Sequence, residues 1–350
     1  MSRAELHAQV ADHLRDRLQR SAIRELTRDE AARLHKDGQQ RFIESLVLSS
    51  KFRKWAADDA ARERITGAIA AAVTDGRPVR FLHTMGGYKL WRMPTAPEVD
   101  WAELFNIAYH LKYLSGIAAA YPPGVTMTYY LYTLLPQRHD NLPAVDVQAY
   151  VDSFTALLDG FRRHLPGNVT LAVVKDTDLY ERDEYYALLD DLIARVQPKF
   201  SSLPEGWRND LLVQSRRNIQ WNGAQDWTTL DEHDREARIV LGAITEIAGI
   251  AMKKQDEFIG HKDHILLFVK AGRGNGFLGI GSTKSSVAKH WTGTGLLEYR
   301  GGELHDTILS PTQWDKVEGM PRQVCEVDVL GLRNLQHVMV VTEPLEFSRS

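Results

Sequence analysis

Apolar residues recur at helical spacing near the start of the sequence. Leu6, Val10, Leu14, Leu18, Ile23 and Leu26, and later Leu34, are separated by charged residues and predict helix from Ala4 to about Leu48. Thr27-Arg28-Asp29-Glu30 sets a hydroxyl three residues before a carboxylate. Each side chain can then satisfy a backbone N–H near the other, so a second helix starts there. Asp58 to Val73 predicts a further helix, stopped by Asp75-Gly76. The period then shortens, and Pro78-Val79-Arg80-Phe81-Leu82-His83 reads as a buried strand. Helix follows from Asp100 to Ala120, with Asp100 as its cap and Leu104, Ile107, Ala108 and Leu111 on an apolar face. Val125 to Leu135 reads as strand from its β-branched and aromatic residues, Val147 to Leu165 as helix, and Val169 to Val174 as strand.

This β–α–β–α–β order predicts an α/β fold, Rossmann-like, with a largely parallel sheet and flanking helices. Glu184 to Val196 and Arg235 to Lys254 read as further helices. The last third changes character. Ile265 to Lys270, Leu296 to Tyr299, Glu303 to Ile308 and Val338 to Thr342 read as short strands of a C-terminal β-rich part, and Arg300-Gly301-Gly302 as a hairpin turn. No Ser/Pro-rich linker, repeat or low-complexity run divides the chain. The expected organisation is one compact unit, with an N-terminal helical layer over residues 1–76 and an α/β domain over residues 77–350. The latter carries a glycine-rich loop near residues 271–284.

Composition narrows the class more than it identifies it. The 350 residues are 43% hydrophobic and 25% charged, ordinary for a globular protein. A formal net charge of −3 gives no global attraction to nucleic acid or to anionic membranes, so neither is an expected partner. Oligomeric state is left open. Cys325 is the single cysteine, which rules out an intrachain disulfide and fits a reducing compartment. No secretory h-region opens the sequence, and no window approaches the about 20 apolar residues that span a bilayer. The expectation is a soluble cytoplasmic protein.

Three polar features sit at the ends of predicted elements, where a rigid scaffold can aim side chains into a cleft. Lys89 follows Gly86-Gly87-Tyr88 just beyond the first strand. In an open α/β sheet ligands bind outside the carboxyl ends of the strands, so Lys89 is either a phosphate or carboxylate anchor or a solvated loop lysine. Glu98, Asp100 and Glu103 offer three carboxylates at a helix start. The helix dipole accounts for acidic residues there, while Glu103 is the candidate for a general base or an amine-binding group. Gly274-Asn275-Gly276-Phe277-Leu278-Gly279 matches G-x-G-x-x-G. A dinucleotide site would also need a helix opening at the third glycine, and Ile280-Gly281-Ser282-Thr283 does not open one. A substrate-covering loop fits better, its amides cradling an anion with Arg273 and Lys284. His261, Asp263 and His264 lack the spacing of a metal site, and no serine-hydrolase elbow or P-loop occurs.

The order of segments resembles the isocyanide (isonitrile) synthase family, also called the pyoverdine/dityrosine biosynthesis family. Tyr88-Lys89 stands for that family's Phe-Lys-type motif, and residues Pro97 to Glu103 for its Pro-Asp-x-x-Glu helix start. Tyr121-Pro122-Pro123-Gly124 stands for its Tyr-x-Pro-Gly turn, and Asp146 to Tyr150 for its Asp-x-x-x-Tyr helix. The likeness spans about residues 78 to 310. It departs late: Leu267-Phe268-Val269-Lys270 replaces a histidine-bearing strand, and no histidine follows Trp291 in His290-Trp291-Thr292-Gly293. The resemblance implies a Rossmann-like enzyme acting on the amine of an amino acid, with ribulose 5-phosphate as carbon donor and co-substrate and no other cofactor. It implies Lys89 as phosphate anchor, helped by Lys270, Arg273 or Lys284. Glu103 would bind or deprotonate the amine, and His290 and His83 would shuttle protons. Tyr88 and Tyr121 join the substrate-binding set.

Two other readings stay open. One is a tRNA-dependent aminoacyl transferase on a similar core, for which Arg208 to Arg217, with Arg216-Arg217 adjacent, would supply the basic helix. The other is a non-catalytic binding or scaffold protein, whose cleft at the strand ends would be sealed where the enzyme's would be open.

Overall fold

In a computed structural model the described residues are 2–52, 57–86, 97–139, 142–221, 229–253, 263–268, 278–280, 294–309, 313, 316–317, 320, 322–325 and 330–340. Three helices open the chain: α1 (Arg3–Arg20), α2 (Arg28–Val47) and α3 (Asp59–Thr74). Ser2 with Glu5, and Thr27 with Glu30, form reciprocal capping boxes, and the Asp58 side chain accepts from the Ala61 N–H at 2.9 Å. α1 buries Leu6, Val10, Leu14 and Leu18, four of the residues whose spacing predicted it, whereas Ile23 and Leu26 fall beyond its end. α2 contains one break the periodicity did not reveal, at Gly38, whose φ of 79° leaves the helical region.

The central sheet is built from β1 (Val79–Gly86), β2 (Val125–Tyr132), β3 (Val169–Lys175), β4 (Ile265–Phe268) and β5 (Leu278–Gly279). Their order is β3-β2-β1-β4-β5, and all neighbours are parallel. Between them run α4 (Trp101–Ala120), α5 (Leu134–His139), α6 (Ala144–Arg162), α7 (Arg182–Val196), α8 (Glu205–Trp221) and α9 (Glu232–Lys253). Alternate strand residues serve opposite faces. Val79, Phe81, Val125, Met127, Tyr129, Ile265 and Leu267 join the core with α4 and α6. Leu82, Tyr130, Tyr132 and Leu266 join a second cluster with α7 and α9.

A second sheet comprises β6 (Thr294–Arg300), β7 (Glu303–Leu309), β8 (Arg322–Val324) and β9 (His337–Val340), in the order β7-β6-β9-β8. β6 and β7 form an antiparallel hairpin across Gly301-Gly302, both at positive φ, as a tight two-residue turn requires. α4 lies between the two sheets and packs against β2, β6, β7, α1 and α2. Being covered over most of its surface, it is apolar nearly all round, which is why its periodicity predicts a helix without telling which face is core.

Two elements differ from the sequence reading. The strand expected to run to Leu135 ends at Tyr132, because the Thr133 and Leu134 N–H groups are captured by the Asp176 carboxylate and the chain turns into α5. α8 is longer than the basic helix expected over Arg208 to Arg217, running from Glu205 to Trp221. Among the described residues no helix is long and apolar enough to cross a membrane.

Candidate functional site

Strand order reverses between β1 and β4, so the crevice of an open α/β sheet falls at their carboxyl ends. α4 runs back antiparallel to the strands, which brings its first turn to that edge. Asp100 caps it: its Oδ1 accepts from the Ala102 N–H at 2.6 Å and from the Gly295 N–H of β6 at 3.1 Å. Glu103 completes the capping box, its Oε2 accepting from the Asp100 N–H at 2.9 Å. Glu98 instead faces the second sheet, where the Arg333 guanidinium donates to Oε1 at 2.8 Å. The three carboxylates therefore part company: one ion pair, one cap that joins a strand, and one buried group that completes the helix cap through a single oxygen.

The second Glu103 oxygen, Oε1, accepts from the Tyr150 hydroxyl of α6 at 3.3 Å. Tyr150 is fully enclosed, and burial together with the nearby Glu103 and Asp100 carboxylates pushes its phenol well above the ordinary value. It stays protonated and acts as a donor. Two segments that stood apart in the sequence thus meet at the sheet edge, one turn of helix each.

Below them is a buried polar column. His83 on β1 is fully buried, and its ring centroid lies 4.7 Å from that of His110 on α4. His110 Nδ1 and the Tyr129 hydroxyl of β2 are 3.1 Å apart. Burial, reinforced by His83, holds the His110 imidazole well below its ordinary pKa, so it is neutral at physiological pH. Burial likewise pushes the Tyr129 phenol up. Glu103, Asn106 and His110 recur at i, i+3 and i+7 and are buried in a largely apolar helix. That polar stripe was the available sequence signal for His110, which the motif reading passed over.

The opposite face of the same edge carries Asp176, just past β3. It accepts from the N–H groups of Thr133 (2.8 Å), Leu134 (2.8 Å) and Thr177 (3.0 Å) and from the Thr133 hydroxyl. Burial raises its carboxyl above the ordinary range, partly offset by those four donors. Tyr130, Tyr132 and Tyr185 crowd beside it, and their phenols are also raised, chiefly by burial.

Of the residues singled out from sequence, Glu103 and His83 lie on α4 and on the β1 strand it covers. Tyr121 does not join them. It ends α4 at the amino edge of the sheet, where its hydroxyl donates to the Ala72 and Arg77 carbonyls at 3.0 and 2.9 Å. Its turn is closed by the Gly124 N–H donating to the Tyr121 carbonyl at 2.8 Å. At Gly124, φ is +75° and an added Cβ would lie 1.7 Å from the Asn168 carbonyl, so that motif has a structural reason to contain glycine. Tyr88, Lys89, Lys270, Arg273, Lys284 and His290 lie outside the described residues. Asp263 pairs with Arg80 at 2.7 Å and with His264 at 2.9 Å, also at the amino edge. On α8, Arg216 is paired with Glu236 at 2.7 Å and Arg208 donates to the Ser201 carbonyl at 2.8 Å, so both are engaged within the protein.

No family model matches the chain, and comparison with curated protein sequences gives no match. Among solved structures, the fold is similar to that of the PvcA protein from Pseudomonas aeruginosa. The TM-score is 0.56 at 14% identity, over 87% of this chain and 99% of that one. At that identity the likeness is one of fold.

Proposed function

We infer that the protein is a biosynthetic enzyme of specialised metabolism, isocyanide-synthase-like, that modifies the amine of an amino acid with ribulose 5-phosphate as carbon donor. The observation that carries this reading is the contact between Glu103 and Tyr150. Both belong to segments of the family resemblance, and they meet at the carboxyl edge of a fold shared with PvcA. In this reading the Glu103 carboxylate takes a proton from the substrate ammonium, freeing the amine to attack the pentulose ketone and expel water as an imine. Tyr150 holds the carboxylate in place by donating to it. His83 shuttles protons from below, and Lys89, with Lys270, Arg273 or Lys284, anchors the phosphate.

The test is mass spectrometry of the purified protein with an amino-acid mixture, with and without ribulose 5-phosphate. A pentulose-dependent product with one added carbon is expected. Glu103→Gln keeps an acceptor for the cap but removes the base, and should lower turnover by roughly 10²-fold or more with the fold intact. Unchanged turnover in the folded variant would remove Glu103 from the mechanism.

One observation favours a second reading, a binding protein that keeps the fold without catalysis: Glu103 is 3% exposed and already bonded on both oxygens. No new product from any mixture, with the protein demonstrably folded, is what that reading expects.

A further inference from the structure

Away from the sheet edge, the outer side of α4 bears a cavity of about 400 Å³, enclosed by the end of α1 and the loop after it, by Lys51-Phe52, and by β7. The volume is in the range of small-molecule pockets, about 300–1,000 Å³. Its floor is apolar: Phe105, Ala108 and Ile308 line it beside Phe52 and Tyr109. Phe52 is fixed by edge-on contacts with Tyr109 and Tyr113, at centroid distances of 5.5 and 5.3 Å. The Tyr109 hydroxyl donates to the Phe52 carbonyl at 3.1 Å, and burial pushes its phenol up to about 12.

The rim is cationic. Arg17, Arg20, Arg24, Lys51 and Lys112 stand against Asp16 and Asp306. The arginines are already matched: Arg17 to Asp306 at 2.7 Å, Arg20 to Asp16 at 3.1 Å, and Arg24 to Glu30. Among the described residues no carboxylate makes an ion pair with Lys51 or Lys112, and both are exposed. The Lys51 ammonium lies 5.5 Å from the Phe52 ring centroid. That attraction is worth only about 0.5–1 kcal/mol at an exposed site and leaves the charge available to a ligand. Two ammonium groups beside an aromatic floor match a dianionic head on a flat apolar body.

We propose that this cavity binds a small organic phosphate monoester, its phosphate between Lys51 and Lys112 and its ring or apolar body on Phe52 and Phe105. Lysine suits this role as a point charge for phosphate. The site does not depend on the chemistry assigned to Glu103. Calorimetric titration of the full chain with phenyl phosphate, inorganic phosphate and phenol tests it. Expected is saturable one-to-one binding of phenyl phosphate that weakens with added salt, with inorganic phosphate and phenol each binding about tenfold or more weakly. Lys51→Ala/Lys112→Ala should lose about tenfold or more in affinity, whereas Lys199→Ala, an exposed lysine elsewhere, should bind as the parent does. Absence of saturation would overturn the proposal, as would equal affinity in the double variant. Inorganic phosphate binding as tightly as phenyl phosphate would overturn the role given to the aromatic floor.

Discussion

His110 shows how a side chain can be set by its surroundings without any motif to announce it. The folded protein keeps it neutral, while the unfolded chain takes a proton near the ordinary value of about 6.5. Stability from this group is therefore complete above that pH and is lost as pH falls below it, until the folded imidazole itself protonates. For one proton the slope is about 1.4 kcal/mol per pH unit. His110→Gln removes this component, so denaturation curves of parent and variant should converge as the pH is lowered from about 7 to 5. Curves that stay parallel would show that His110 titrates alike in both states. The shift itself was not readable from the sequence, because it comes first from burial by distant segments and then from His83, 27 positions away on β1. Glu103 was readable as a cap from its three-residue spacing to Asp100. Its second partner, Tyr150, lies 47 residues on and is brought in by the packing of α6.

Among the elements, those with one wet face were the easiest to read. α1 and α3 alternate burial and exposure at helical period, and the β1 alternation assigns its residues to two cores. Short strands such as β5 and β8 carry too few residues for a period. The join between α4 and β6 is a tight long-range contact. An added Cβ at Gly295 would lie 1.8 Å from the Ala102 nitrogen and 2.3 Å from the Trp101 carbonyl carbon, both backbone atoms that cannot rotate away. Gly295→Ala should therefore separate β6 from the helix start, break the bond to Asp100, and cost at least ~3 kcal/mol in urea unfolding. A loss below ~1 kcal/mol would mean that the join is looser than its geometry implies.

For the molecule as a whole, α4 is the element on which both sheets and the first two helices rest. Its amides should exchange with deuterium only through global opening, whereas those of the largely exposed α8 should exchange by local fraying, a contrast measurable by mass spectrometry of peptic fragments. Comparable exchange in the two helices would contradict this assignment. The Asp100–Gly295 bond spans 195 residues, and this distance has a consequence during synthesis. At about 5–20 residues per second, the start of α4 leaves the ribosome roughly 10–40 s before the strand that covers it. For that interval the nascent chain presents a greasy helix with one side uncovered, a natural target for the chaperones that wait at the exit tunnel.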